Sequence, residues 1–194
     1  MNTSPRPHLA LTLVVAGALA LGLAFTLPTE LVGESLSFGP APAAARVGGR
    51  PPPFTLPAAT GGPTRGRFNL RPLLGQNPVV ILFWATWCAP CQQELPFYQS
   101  LYERYQAQGL RIVAISMDSQ ATVMRAGPAA RRLGVQFDVV TDVDSRVTTQ
   151  LNPRRGAPFS IWIDRAGRIV REREGFSPAE QGAIARGVAE LVGN

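Results

Sequence analysis

One stretch of this chain, Phe83-Trp84-Ala85-Thr86-Trp87-Cys88-Ala89-Pro90-Cys91-Gln92-Gln93-Glu94-Leu95-Pro96, constrains the fold more than any other. The six apolar residues Val79–Trp84 run straight into it, as expected of a strand buried on both faces. Leu95, Tyr98, Leu101, Tyr102 and Tyr105 then recur at three and four residues, the inner face of a helix predicted over Cys88–Gln108. A strand therefore turns sharply into a helix at Cys88 and Cys91, the only two cysteines of the chain. At the exposed first turn of such a helix, unpaired N–H groups and the positive dipole end stabilise a thiolate on Cys88. Thiols in Cys-X-X-Cys motifs have pKa values lowered to roughly 3.5–7.5. Cys88 is then placed to attack a partner's disulfide, and Cys91 to release the product by closing the intramolecular bridge.

Three other readings of the pair stand beside this one. A static disulfide is weakly motivated, because so short a loop removes little unfolded-state entropy. Structural zinc needs four ligands, and the only histidine, His8, lies far upstream. Two inert buried cysteines fit poorly with flanking aromatics and Pro90, which mark a strand-to-helix turn.

The 194 residues hold one domain with appendages. The net charge of +6 comes from arginine alone, since the chain has no lysine. The arginines are scattered from Arg46 to Arg186 without an aromatic-interleaved stripe, which argues against nucleic-acid binding. Leu9–Leu27 is uncharged and apolar over 19 residues, close to the roughly 20 that cross a bilayer as a helix. A cleaved signal segment is the competitor, but its apolar part normally spans about 7–15 residues. Arg6 on one flank, with Glu30 and Glu34 on the other, puts the amino terminus inside and the rest of the chain outside the cytoplasm. The expected organisation is an anchor or signal segment over 1–28, a Pro/Ala/Gly-rich linker over 29–53 and a domain over 54–194.

Within the domain, short strands are expected at Phe54–Leu56 and Arg67–Leu70, joined by a Gly61-Gly62-Pro63 turn. Further strands are expected at Arg111–Ser116 and Phe137–Thr141. Phe159–Ile163 and Arg168–Arg173 form a hairpin. Helices are expected over Thr122–Leu133, interrupted at Gly127-Pro128, over Ser145–Leu151, and over Pro178–Val192 behind a Ser177 cap. Gly109 should end the long helix and Pro96 should kink it. This order, β-α-β-α-β-α-β-β-α, gives an α/β domain with a mixed central sheet flanked by helices.

FWATWCAPC with QQELP, then GAPFSIWIDRAGRIV, then EGFSP before the last helix, resemble in order and spacing the TlpA/ResA-like branch of the thioredoxin superfamily. The resemblance covers about Pro53–Leu191. It implies a thioredoxin-like fold with an N-terminal short-strand extension and a βα insertion. It also implies an exported or membrane-tethered thiol–disulfide oxidoreductase acting on cysteine-containing proteins, many relatives being reductants that serve cytochrome c maturation. A membrane or periplasmic dithiol would supply electrons. The only redox group would be the Cys88–Cys91 pair, with no cofactor or metal. By the same resemblance Cys88 is the nucleophile, Cys91 the resolving thiol and Glu94 an active-site acid. Trp87 and Pro90 border the substrate. Pro158 matches a cis-proline whose preceding residue, Ala157, pairs with an extended substrate strand.

The chain departs from thioredoxin at Leu82, where that protein has a buried Asp, so proton handling falls to Glu94, water or substrate. Pro51-Pro52-Pro53-Phe54 also replaces the family's usual Ala-Pro-Asp-Phe. The competing functions are a thiol peroxidase, a copper chaperone and a non-catalytic tethered interaction domain. The first lacks its Pro- and Thr-containing peroxidatic loop. The second would have Met117 and Met124 but no histidine in the domain. No dimerisation segment is apparent, so a monomer is expected.

Overall fold

A computed structural model describes residues 47–59 and 62–193. The apolar run of residues 9–27, residues 29–46 of the linker and Gly61 of the first turn lie outside the described residues. No helix among the described residues is long and apolar enough to cross a membrane.

The elements are β1 (Thr55–Pro57), β2 (Arg67–Asn69), β3 (Val79–Trp84), α1 (Ala89–Tyr105), β4 (Arg111–Ser116), α2 (Ala126–Arg132), β5 (Asp138–Thr141), α3 (Arg146–Leu151), β6 (Phe159–Ile163), β7 (Ile169–Glu174) and α4 (Gln181–Gly193). β1 and β2 form a small antiparallel sheet, and the other strands form a sheet in the order β5-β4-β3-β6-β7. β3 pairs in parallel with β4, and β4 with β5, while β6 runs antiparallel to both β3 and β7. The mixed sheet expected from the sequence is therefore present, with the hairpin docked at its centre against β3.

Every residue of β3 is buried, which explains its unbroken apolar sequence. Its alternate side chains feed two cores. Val80, Leu82 and Trp84 join Cys91, Leu95, Tyr98 and Leu101 of α1, with Ala129 and Ala130 of α2 and Ile184 and Val188 of α4. Val79, Ile81 and Phe83 face the opposite way, against Leu56 and Phe68 of the small sheet and Val147 and Leu151 of α3. Leu82 thus occupies a fully apolar position.

The helix termini follow their local chemistry. α1 passes through a 3-10 turn, Gln106–Gln108, and stops at Gly109, whose φ of 98° is left-handed. Pro96 sits inside α1. Ser177 Oγ accepts from the Ala179 amide at 3.2 Å, capping a 3-10 turn that leads into α4. One expectation needs correction. Gly127-Pro128 does not interrupt a helix but lies in the first turn of α2, where proline's missing N–H costs no hydrogen bond. The break falls earlier, between the 3-10 turn Val123–Arg125 and α2.

α4 closes onto the sheet at Gly187. A Cβ there would lie 2.7 Å from a ring carbon of the buried Trp162 and 2.9 Å from Nη1 of Arg171, whose guanidinium stands 5.0 Å from the ring centre. Gly187→Ala should therefore lower stability by about 1–3 kcal/mol through overpacking, outweighing alanine's better helix propensity. A urea denaturation midpoint unchanged or raised in the variant would show that the contact relaxes at no cost.

Candidate active site at the end of the central strand

β3 delivers the chain through Ala85, Thr86 and Trp87 to Cys88, the N-cap residue of α1. Cys88 and Cys91 are joined as a disulfide with an S–S distance of 2.02 Å. The Cys91 amide donates to Cys88 Sγ at 3.3 Å, so this sulfur occupies the place of a capping oxygen. That amide and the helix dipole both favour negative charge on Cys88 once the bridge opens. Pro90 lies in the first turn, where a missing N–H is harmless. In this disulfide form Cys88 is only 3 % exposed and Cys91 fully buried, so the expected exposed cysteine is a nearly covered one. Both sulfurs bond inward, and Cys88 belongs to the apolar cluster beneath the turn. Trp87 is the opposite case. It is 65 % exposed, which excludes a core tryptophan and leaves an apolar ring in solvent beside the pair.

The register of the sheet brings a second loop to the same end. Phe159 opens β6 opposite Phe83, so Pro158 stands at the strand end level with Trp84. The Ala157–Pro158 peptide is cis, and the Pro158 carbonyl accepts from the Gly175 amide at 2.8 Å. Asn152 holds this loop from below. Its Nδ2 donates to the Gly156 carbonyl at 2.7 Å and its Oδ1 accepts from the Gly156 amide at 3.3 Å. The Cys88 turn has its own anchor. Asp118, buried after β4, accepts from the Thr86 amide at 3.0 Å, from the Thr86 hydroxyl and from Ser116 Oγ at 2.8 Å. Nothing in the sequence pattern pointed to Asp118 or Asn152, because each gains its partner only through the fold.

Glu94 lies one helical turn beyond Cys91 on the same face of α1 and is 2 % exposed. A carboxyl this deeply covered is not an ordinary solvated surface group. Its Oε2 has no hydrogen-bond partner among the described residues, while the Tyr98 hydroxyl one turn further on lies against Ser160 and Trp162. Burial pushes the Glu94 carboxyl up from 4.5 to about 8, and the Arg173 guanidinium on β7 offsets only part of this. Arg173 is itself held by Glu180 at 2.8 Å. Burial also pushes the Tyr98 hydroxyl above its ordinary range, the Glu94 charge adding to the effect. Burial thus keeps, one helical turn beyond Cys91, a carboxyl whose ionisation is shifted up to about 8. A neutral carboxyl there can donate a proton, and just above neutrality it can accept one.

The arrangement can open and close one disulfide beside an exposed ring, a cis-proline loop and a buried acid. Known proteins with related sequences or folds are consistent with that chemistry. The thiol-disulfide oxidoreductase ResA of Bacillus thuringiensis is 31 % identical over 117 residues, 59 % of this chain and 64 % of that protein. This chain therefore spans just under two thirds of the length of that relative. ResA of Geobacillus thermodenitrificans is 30 % identical over 128 residues, 66 % of this chain and 69 % of the relative. Among solved structures, a Chlorobium tepidum protein assigned as thiol:disulfide interchange protein DsbE superposes with a TM-score of 0.67 at 30 % identity. That superposition covers 76 % of this chain and 99 % of the other. The thioredoxin-like, ResA-like resemblance read from the sequence agrees with these relatives. The AhpC/TSA family model matches residues 47–173, more than half of the sequence, and the chain belongs to that family.

Proposed function

We propose that this chain is an extracytoplasmic thiol–disulfide oxidoreductase that reduces disulfides in cysteine-containing proteins, as in cytochrome c maturation. The observation that carries this reading is the Cys88–Cys91 bridge at the first turn of α1, with the Cys91 amide directed at Cys88 Sγ. In the reduced protein the Cys88 thiolate attacks one sulfur of a substrate disulfide. An S–S bond forms to Cys88 and the other substrate sulfur leaves as a thiolate. Cys91 then gives up its proton, attacks Cys88 Sγ and expels the second substrate thiolate. Two electrons pass to the substrate and the bridge closes. An external dithiol reverses these steps and restores the enzyme. Glu94 serves as the proton acceptor for Cys91. Trp87 and Pro90 border the bound segment, and Ala157 and Pro158 line it as an extended strand. The domain acts as a monomer, held to the membrane by residues 9–27 with the amino terminus inside and the linker giving it reach.

Cys91→Ser should accumulate mixed disulfides with partner proteins, while Cys88→Ser should accumulate none. Non-reducing gels of both variants test this, and equal trapping by the two would overturn the assigned roles.

Glu94 ties stability to pH in a defined direction. Its carboxyl is raised in the folded chain, so its stabilising contribution is complete below about pH 4.5 and is lost as pH rises through about 8. Glu94→Gln, which cannot ionise, should flatten the decline of Tm across that window. In the reduced protein, ionised Glu94 opposes thiolate formation. The variant should therefore show a lower apparent cysteine pKa when alkylation rate is followed against pH. Superimposable profiles for the two proteins would remove Glu94 from proton transfer.

The full-length chain should remain with membranes after a carbonate wash, and a chain beginning at Arg46 should be soluble and still exchange disulfides. Fractionation and the mass of the mature protein check this. An amino terminus beyond Leu27 would identify a cleaved signal and rule out the tether.

A further inference from the structure

A cavity of about 280 Å³ opens beside the Cys88 turn, on the α2 side of α1. Its wall includes Thr86, two residues before Cys88, and Gln92, one residue after Cys91. Arg125 and Arg132 reach it from the ends of α2. Both arginines are exposed, and neither makes an ion pair or hydrogen bond with another described residue. The carboxylate on the adjoining loop, Asp118, is engaged by Thr86 and Ser116 instead. Trp84 forms part of the same wall. Two exposed guanidinium forks thus gather around one small opening. Guanidinium groups match the geometry of carboxylates and bind them in paired hydrogen bonds.

The chain around the cavity also fits a polypeptide. Exposed Trp87 follows Thr86, and Met124, 84 % exposed, precedes Arg125. Apolar surface therefore adjoins the cationic opening where a segment bound across the cysteines would pass. We propose that this cavity is a specificity pocket for an acidic side chain carried by the protein substrate close to its reactive cysteine. The inference rests on the thiol–disulfide reading and adds to it a charge preference that the cysteines alone would not impose. A free small anion would satisfy the arginines but would make no use of the neighbouring apolar rim.

The test uses reduced full-length protein and synthetic peptides bearing a mixed disulfide, with either two Glu or two Gln residues beside the cysteine. The acidic peptide should be reduced about tenfold faster at low salt, with the advantage shrinking as salt is added. Arg125→Glu and Arg132→Glu should each bring the acidic-to-neutral rate ratio down to about one or below. Arg168→Glu carries the same charge change beyond β6, at the opposite end of the sheet, and should keep the preference. An equal loss in Arg168→Glu would mean that only the overall field matters and would overturn the pocket. An equal slowing of oxidised glutathione in the Arg125 and Arg132 variants would assign the pocket to small anions and overturn the protein-substrate reading.

Binding is measured separately, by fluorescence anisotropy of labelled peptides with Ser in place of Cys. Tighter binding of the Glu peptide, lost in the Arg125 and Arg132 variants, supports the pocket even if exchange fails. Exchange without any charge preference in rate or binding refutes the pocket and leaves the thiol chemistry standing.

Discussion

Everything at the functional end of this domain depends on the burial of one strand. β3 is covered on both faces and flanked on both edges, by β4 in parallel and β6 antiparallel. Its six side chains divide between two cores, so a slip of one residue would exchange the two sets and disrupt both. A strand fixed this firmly has a fixed end. The Cys88 turn leaves from that end, and the register with β6 places Pro158 level with it. The two loops are therefore positioned first by the main-chain pairing of the sheet, and the side chains of Asp118 and Asn152 then anchor them. Surface ion pairs contribute little to this frame. Arg146–Asp144 and Arg154–Glu174 lie more than half exposed, where such pairs are worth about 0–1 kcal/mol.

The strands were legible because burial leaves a plain record in composition. Val79–Trp84, Arg111–Ser116 and Phe159–Ile163 have the bounds expected from their apolar runs. The first turn of α1 was legible for a different reason, since two cysteines with proline between them suit few other structures. What the sequence did not disclose is polar. Gln99 is not among the apolar residues that mark the inner face of α1, yet it is buried and its Oε1 accepts from the Gln136 amide at 2.8 Å. Asp118 meets Thr86 across 32 residues, and Arg173 approaches Glu94 only because β7 pairs with β6. A polar residue on a buried face shows no period that separates it from one facing water. Its partner, set by topology, is what decides the matter. Gly127-Pro128 misled for a related reason, because proline at a helix start and proline inside a helix look alike in sequence.

Two buried carboxyls sit near the same strand end, and their hydrogen bonds suit them to different work. Asp118 receives three donors, two from Thr86 and one from Ser116, so its oxygens are committed to holding the turn before Cys88. Glu94 has an oxygen with no donor among the described residues and only a partial electrostatic offset from Arg173. Taking up or losing a proton there breaks no hydrogen bond to that oxygen. The energetic cost of burying an acid is thus kept on the group whose ionisation lies near neutral pH, while the structural acid stays fully engaged. Leu82 fits the same division. A second titrating group beneath the cysteines would couple to Glu94 and split its ionisation into two steps. Leu82 is fully buried and apolar, so it adds no second charge at that position.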